Sequence, residues 1–272
     1  MHLNGLFLHP VKSLRACPVA SADVDALGLV GDRRFMVVDE AGRLLTQRTL
    51  PRMALVATAL TADTLILAAG AAGSVVIPRA PDPRAPLRTV SVWKSEGLQA
   101  EDCGDAPAAW LGEYLGVKCR LVRIGGKFLR PVLSTRETRP DDIVSFADGF
   151  PFLVISESSL ADLNDRLAAQ GEPTLPMNRF RPNLVVTGCP AFAEDTWTRL
   201  RVGGVVFRAG GPCSRCVMTT TDQQTAERGK EPLRTLATYR RDAASAEVNF
   251  GQNLIHETKS GTLHVGDPVE IL

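Results

Sequence analysis

The hydrophobic pattern of this chain changes character along its length. From Leu3 to about Arg123, short apolar runs alternate with Gly, Pro and Asp turns. Leu6-Phe7-Leu8, Arg34–Val38, Leu65–Ala68, Val75–Ile77 and Val90–Val92 read as strands. Such spacing suits a small β-barrel or sandwich. Asp105–Leu115 has a different period, with Ala108, Leu111, Tyr114 and Leu115 at helical spacing. Residues 125–142 are rich in Arg, Pro and Gly and read as a long linking loop, a kind that is usually functional or mobile. Ser156 predicts the N-cap of a helix over Glu157–Ala169, which Gly171 and Pro173 end. Strands are expected at Leu184–Val186, in a hairpin from Leu200 to Phe207 turning at Gly203-Gly204, and near Pro268–Leu272. Gly210-Gly211-Pro212 is expected to stop the second hairpin strand. The pattern predicts an α+β, mostly β chain in two parts.

Composition narrows the class without identifying it. At 272 residues the chain can bury one large core or two modest ones. A formal charge of +1 gives no global basic footprint for nucleic acid. Six irregularly spaced cysteines do not make a disulfide scaffold and fit a reducing compartment. Met1–Pro18 lacks the apolar core of a signal peptide. Asp63 and several Thr and Gly residues interrupt the most apolar stretch, around Ala54–Ile77, so no membrane span and a cytoplasmic location are expected.

The chemistry concentrates in Pro212-Cys213-Ser214-Arg215-Cys216. An adjacent cation lowers a thiol's pKa, and the thiolate attacks electrophiles or ligates soft metals. A structural zinc site needs four closed ligands. There is no second Cys-x-x-Cys, and His2, His9, His256 and His264 lack paired spacing, so zinc is disfavoured. A thioredoxin-like pair should open a helix, whereas Val217–Thr221 is rich in β-branched residues. A single thiolate on a soft transition metal or metal cofactor stays open, as does plain burial of two small side chains.

Cys213–Asp222 is followed by Lys230-Glu231-Pro232-Leu233, Tyr239-Arg240 and Phe250-Gly251-Gln252. Upstream lie Pro10-Val11-Lys12-Ser13, Asp32-Arg33, Asp102-Cys103-Gly104, Asp148, Ser156-Glu157 and Phe180-Arg181-Pro182-Asn183, and Val265-Gly266-Asp267-Pro268 closes the chain. In this order the motifs resemble the MOSC domain family over almost the whole chain, on the branch of the mitochondrial amidoxime reducing component and its bacterial relatives. The resemblance implies an N-terminal β-barrel-like domain over residues 1–123 and a MOSC β-barrel domain with flanking helices over 124–272, both contacting a molybdenum–molybdopterin cofactor. It implies reduction of N-hydroxylated compounds (hydroxylamines, amidoximes, N-hydroxylated bases), with Cys216 rather than Cys213 as the molybdenum ligand. Persulfide transfer, suggested by the sulfurase namesake, and cofactor delivery are the alternatives.

The implied cofactor contacts are Lys12, Ser13, Arg33, Arg181, Asn183, Ser214, Arg215 and Cys216, with Asp148 beside the metal as a second catalytic residue. Each has an ordinary reading as well. Lys12 reads equally as a solvated loop lysine. Arg33 can pair with Asp32 alone. Strand alternation across Pro182 would put Arg181 and Asn183 on one face, as phosphate and pterin partners or as a rim salt bridge. Asp148 before Gly149 is also a turn residue. Asn253 stands where the mitochondrial relatives carry an aromatic, which bears on the shape of a substrate pocket. The basic run Arg228, Lys230, Arg234, Arg240, Arg241 is either a solvated face or a docking surface for an acidic donor. The chain has no second cluster of four cysteines and no dinucleotide fingerprint, so electrons are expected from a separate ferredoxin-, flavodoxin- or cytochrome-like protein.

Overall fold

The computed structural model describes residues 1–132 and 138–272. The strands of the described chain form four sheets. The largest has eight strands in the order 269–271, 199–202, 205–214, 249–256, 152–156, 184–187, 2–8 and 17–18. Its outer strands are antiparallel, but Phe152–Ser156 and Leu184–Thr187 run parallel. A parallel pair needs a long crossover, and the helix Glu157–Ala169 supplies it. That helix starts where Ser156 Oγ accepts the Ser159 amide at 3.0 Å, the predicted cap. The other predicted helix, Asp105–Leu115, ends at Gly116 in the left-handed region.

A four-stranded sheet runs 35–38, 120–123, 95–102, 87–92, and two three-stranded sheets complete the β content. The sequence halves exchange strands: His2–Leu8 pairs with Leu184–Thr187, and Gly261–His264 pairs with Ser21–Asp25. One apolar core fills the large sheet around Leu6, Phe152, Val186, Phe207 and Leu254. A second, around Val11, Phe35, Val37, Leu65 and Leu111, lies under the N-terminal sheets. The chain is mostly β with few helices, as its pattern predicts.

One local expectation fails, and one strand lies where none is predicted. Gly210-Gly211-Pro212 does not end its strand, which continues to Ser214. Register shifts after Ala209 and Pro212 absorb the irregularity against Asn249–His256. Glycine is required at 210, because a Cβ there would sit 2.6 Å from the Phe150 ring. Ser95–Asp102 is a strand although it is polar and contains Gly97. The linking loop over 125–142 is irregular where described, apart from a bridge between Pro131 and Ile143; residues 133–137 of that reading lie outside the described residues.

Candidate active site

A cleft of about 830 Å³, open solvent included, lies where the sequence halves meet. Lys12, Ser13, Arg33, Asp148, Arg181, Asn183, Ser214, Arg215 and Cys216 all line it, so every candidate residue arrives at one place. Four of the seven non-glycine residues with positive φ among the described residues also line it: Ser13 (68°), Arg33 (46°), Trp93 (54°) and Arg181 (57°). Bulky residues rarely take that conformation, and strain of this kind gathers at binding and catalytic sites.

The wall contributed by the N-terminal half is built on buried charge. Lys12 is only 4% exposed, so it is not a solvated loop lysine. Its ammonium donates to the Phe146 carbonyl at 2.8 Å and pairs closely with Asp148. Two of its three donors are thus engaged. Burial pulls the Lys12 pKa down to about 8, against the raising effect of Asp148. Burial pushes Asp148 the other way, but Lys12 and the Trp93 indole N–H, at 2.9 Å, outweigh it and hold the carboxyl well below the usual range. The Asp148 side chain keeps 64% exposure because it faces the open cleft. Arg33 bonds Asp32 at 2.6 Å and the Asn183 amide oxygen at 3.0 Å, so the structural ion pair exists and the residue still reaches the cleft.

One of the sequence arguments is corrected here. The strand starts only at Leu184, and the left-handed Arg181 breaks the alternation expected across Pro182. Asn183 also has its amide engaged by protein: Oδ1 accepts from Arg33 and from the Leu153 amide, and Nδ2 donates to the Phe7 carbonyl. It thereby holds Arg33, and one Nδ2 N–H stays uncommitted on a residue that lines the cleft. Arg181 differs. It is buried and donates to the Leu14 carbonyl at 2.7 Å, while burial and then Arg33 pull its guanidinium down to about 9.

The two thiols have different surroundings. Arg215 Nη1 lies 2.8 Å from Cys213 Sγ, yet burial outweighs that cation and the Cys213 thiol is pushed up. Cys213 stands within the strand and packs against an apolar cluster. Cys216 caps a 3₁₀ turn over Val217–Thr220, where its carbonyl accepts from the Thr219 amide and hydroxyl, each at 3.0 Å. Its sulfur makes no hydrogen bond among the described residues, which leaves it available on the cleft wall. No group of three or more His, Cys, Asp or Glu side chains suited to a metal ion occurs among the described residues.

Sequence reasoning missed Trp93, Arg48 and Arg179, which also line the cleft. Arg48 stacks on Trp93 with Cζ 4.1 Å from the ring centroid, and Arg179 pairs with Asp222 at 2.9 Å. An aromatic in a two-residue turn between strands, where polar residues are usual, is the one signal that pointed to Trp93. In all, six cations line the cleft with one carboxylate: Lys12, Arg33, Arg48, Arg179, Arg181 and Arg215 against Asp148. Three of them, Arg48, Arg179 and Arg215, have a buried Nε–H with no acceptor. Buried donors are normally satisfied, so a cleft of this composition is fitted for an anion.

A cation-lined cleft with one unengaged thiol, between two mostly β halves, defines a binding site for an anionic, soft-metal or electrophilic ligand. The chain belongs to the MOSC domain family, with residues 1–118 matching the MOSC N-terminal beta barrel domain and 141–270 the MOSC domain. It is 37% identical to mitochondrial amidoxime-reducing component 1 of Homo sapiens, over 98% of this chain and 82% of that protein. Against mitochondrial amidoxime reducing component 2 of Homo sapiens the identity is 34%, over 97% and 81%. Molybdenum cofactor sulfurase of Danio rerio is 34% identical over 96% of this chain, which spans 33% of that larger protein. No helix among the described residues is long and apolar enough to cross a membrane.

Proposed function

We propose that the cleft holds a molybdenum–molybdopterin cofactor and that the protein reduces N-hydroxylated compounds with electrons from a separate electron-transfer protein. The observation that carries this reading is the charge imbalance around Cys216, six cations to one carboxylate with three buried N–H groups unanswered. A phosphate-bearing pterin with a soft metal satisfies both the cations and the thiol. Arg33, Arg181 and Arg215 would hold the anionic end, with Ser13, Ser214 and the remaining donor of Lys12. Cys216 would bind the metal as thiolate, and the other ligands would come from the cofactor's own sulfurs. The names of the amidoxime-reducing relatives support the substrate class.

When bound, the cofactor supplies the two-electron chemistry that releases the N-hydroxyl oxygen as water. The chain's own residues orient it and deliver protons. Asp148 is a carboxylate at neutral pH, so it accepts rather than donates. Lys12, with a pKa near 8, is the proton donor of the pair, and Asp148 turns that pair toward the cleft. Each N–O bond broken consumes two protons, so the pair must recharge from water at the cleft mouth.

Likeness to the Danio rerio sulfurase favours a second reading, in which Cys216 carries a persulfide. Purified protein distinguishes the two. Molybdenum and pterin, with hydroxylamine reduction driven by reduced viologen, support the reductase. Labile sulfane sulfur without metal supports the carrier, and tight pterin retention without turnover supports a delivery protein.

A further inference from the structure

We infer that Arg130 is the positioning residue that sets the Trp93–Asp148 contact on the cleft wall, and with it the direction in which the Asp148 carboxylate faces a ligand. The inference deepens the role given to Asp148 above. Arg130 is 1% exposed, and its hydrogen bonds go to neutral oxygens. Nη1 donates to the carbonyls of Ser145 at 2.9 Å and Ala147 at 2.5 Å, and Nη2 to the Asp148 carbonyl at 2.6 Å. The carbonyl between them, Phe146, accepts from Lys12. Four successive carbonyls therefore converge on two buried cations.

The fourth Arg130 contact gives this clamp a function beyond holding a loop. Nε donates to Ser95 Oγ at 3.1 Å, and Ser95 follows the two-residue turn Trp93-Lys94 directly. One end of the guanidinium thus fixes the turn that aims the indole. The other end fixes the backbone that carries the carboxylate receiving it. Burying an arginine for backbone contacts alone is costly, and burial pulls its pKa down to about 10. Lysine cannot reproduce the arrangement, because a compact ammonium cannot span both segments as a planar fork does.

The test reads the indole N–H resonances of ¹⁵N-labelled apo-protein, which do not depend on any activity. The chain has three tryptophans, so Trp110 and Trp197 serve as internal controls. In Arg130→Lys the Trp93 resonance should move toward its position in Asp148→Asn, with the other two unmoved. Ser95→Ala, which removes only the Nε contact, should give a smaller displacement in the same direction, and it decides the matter if Arg130→Lys fails to fold. In turnover, Arg130→Lys should lower kcat about tenfold with KM nearly unchanged, and should add little in an Asp148→Asn background. A Trp93 resonance that stays at its wild-type position in either folded variant, or movement of all three indoles together, would overturn the inference.

Discussion

Two basic regions of this molecule look alike in sequence and differ in how their charge is answered. On the 228–241 surface, Arg234 pairs with Glu172 and Glu231, and Arg240 with Asp195. Arg228 donates to the carbonyls of Gln47 and Arg48, and Arg241 to that of Ala246. In the cleft, six cations share one lining carboxylate, and like charges depress one another, as Arg33 does Arg181. On the surface run the guanidinium groups are answered by carboxylates or carbonyls, whereas in the cleft Arg48, Arg181 and Arg215 have no carboxylate partner among the described residues and Arg48, Arg179 and Arg215 each bury an N–H without an acceptor, at a cost to the apo-protein. A basic region waiting for a ligand is therefore recognised by missing acceptors, not by the number of Lys and Arg residues.

If that contrast is right, substitutions should rank by region. Cys216→Ala should abolish turnover outright, while Cys213→Ala, in the strand and with its thiol pushed up, should keep measurable activity; equal loss in both would make the pair the ligand. Arg181→Ala should weaken cofactor retention about ten- to hundredfold, as expected for losing a charge-assisted contact of about 1.5–3 kcal/mol. The same apo-protein should be at least as thermally stable as wild type, because a desolvated cation beside Arg33 is removed. A large fall in its melting temperature with retention intact would return Arg181 to a purely structural role.

The pH dependence sharpens the account of Lys12. Turnover should fall as pH rises through about 8, where Lys12 loses its proton. Asp148 raises the Lys12 pKa, so in Asp148→Asn the alkaline limb should move to lower pH; an unmoved limb would detach Lys12 from the reaction. For folding the sign is the reverse. The folded pKa lies below the 10.5 of the free side chain, so the unfolded chain binds more protons between about 8 and 10.5, and this residue's penalty is relieved as pH rises through that window. Smallest of all, Arg234→Ala should leave the melting temperature nearly unchanged and cofactor retention untouched, because exposed ion pairs are screened by solvent. Turnover with a protein donor should fall as salt rises if the 228–241 run is the face it meets, since Arg228, Lys230 and Arg241 have no carboxylate partner among the described residues.

The parts of this molecule that were legible in the sequence are those fixed by local chemistry. Both longer helices begin and end at their predicted residues, because periodicity and caps are written within each segment. Ser95–Asp102 and the continuation to Ser214 were not legible, because each exists through a partner strand remote in sequence. The site divides the same way. Ordered motifs led to nine residues that converge on one cleft. Nothing local marked Arg130, whose partners lie 15 to 35 positions away.

The most direct test is the molybdenum and pterin content of wild-type, Cys213→Ala and Cys216→Ala protein, each purified from a host that makes the cofactor. The cleft as described predicts near-stoichiometric metal and pterin in the wild type, substantial metal in Cys213→Ala, and loss of the metal in Cys216→Ala. Wild-type protein that carries sulfane sulfur on Cys216 and neither metal nor pterin would contradict it.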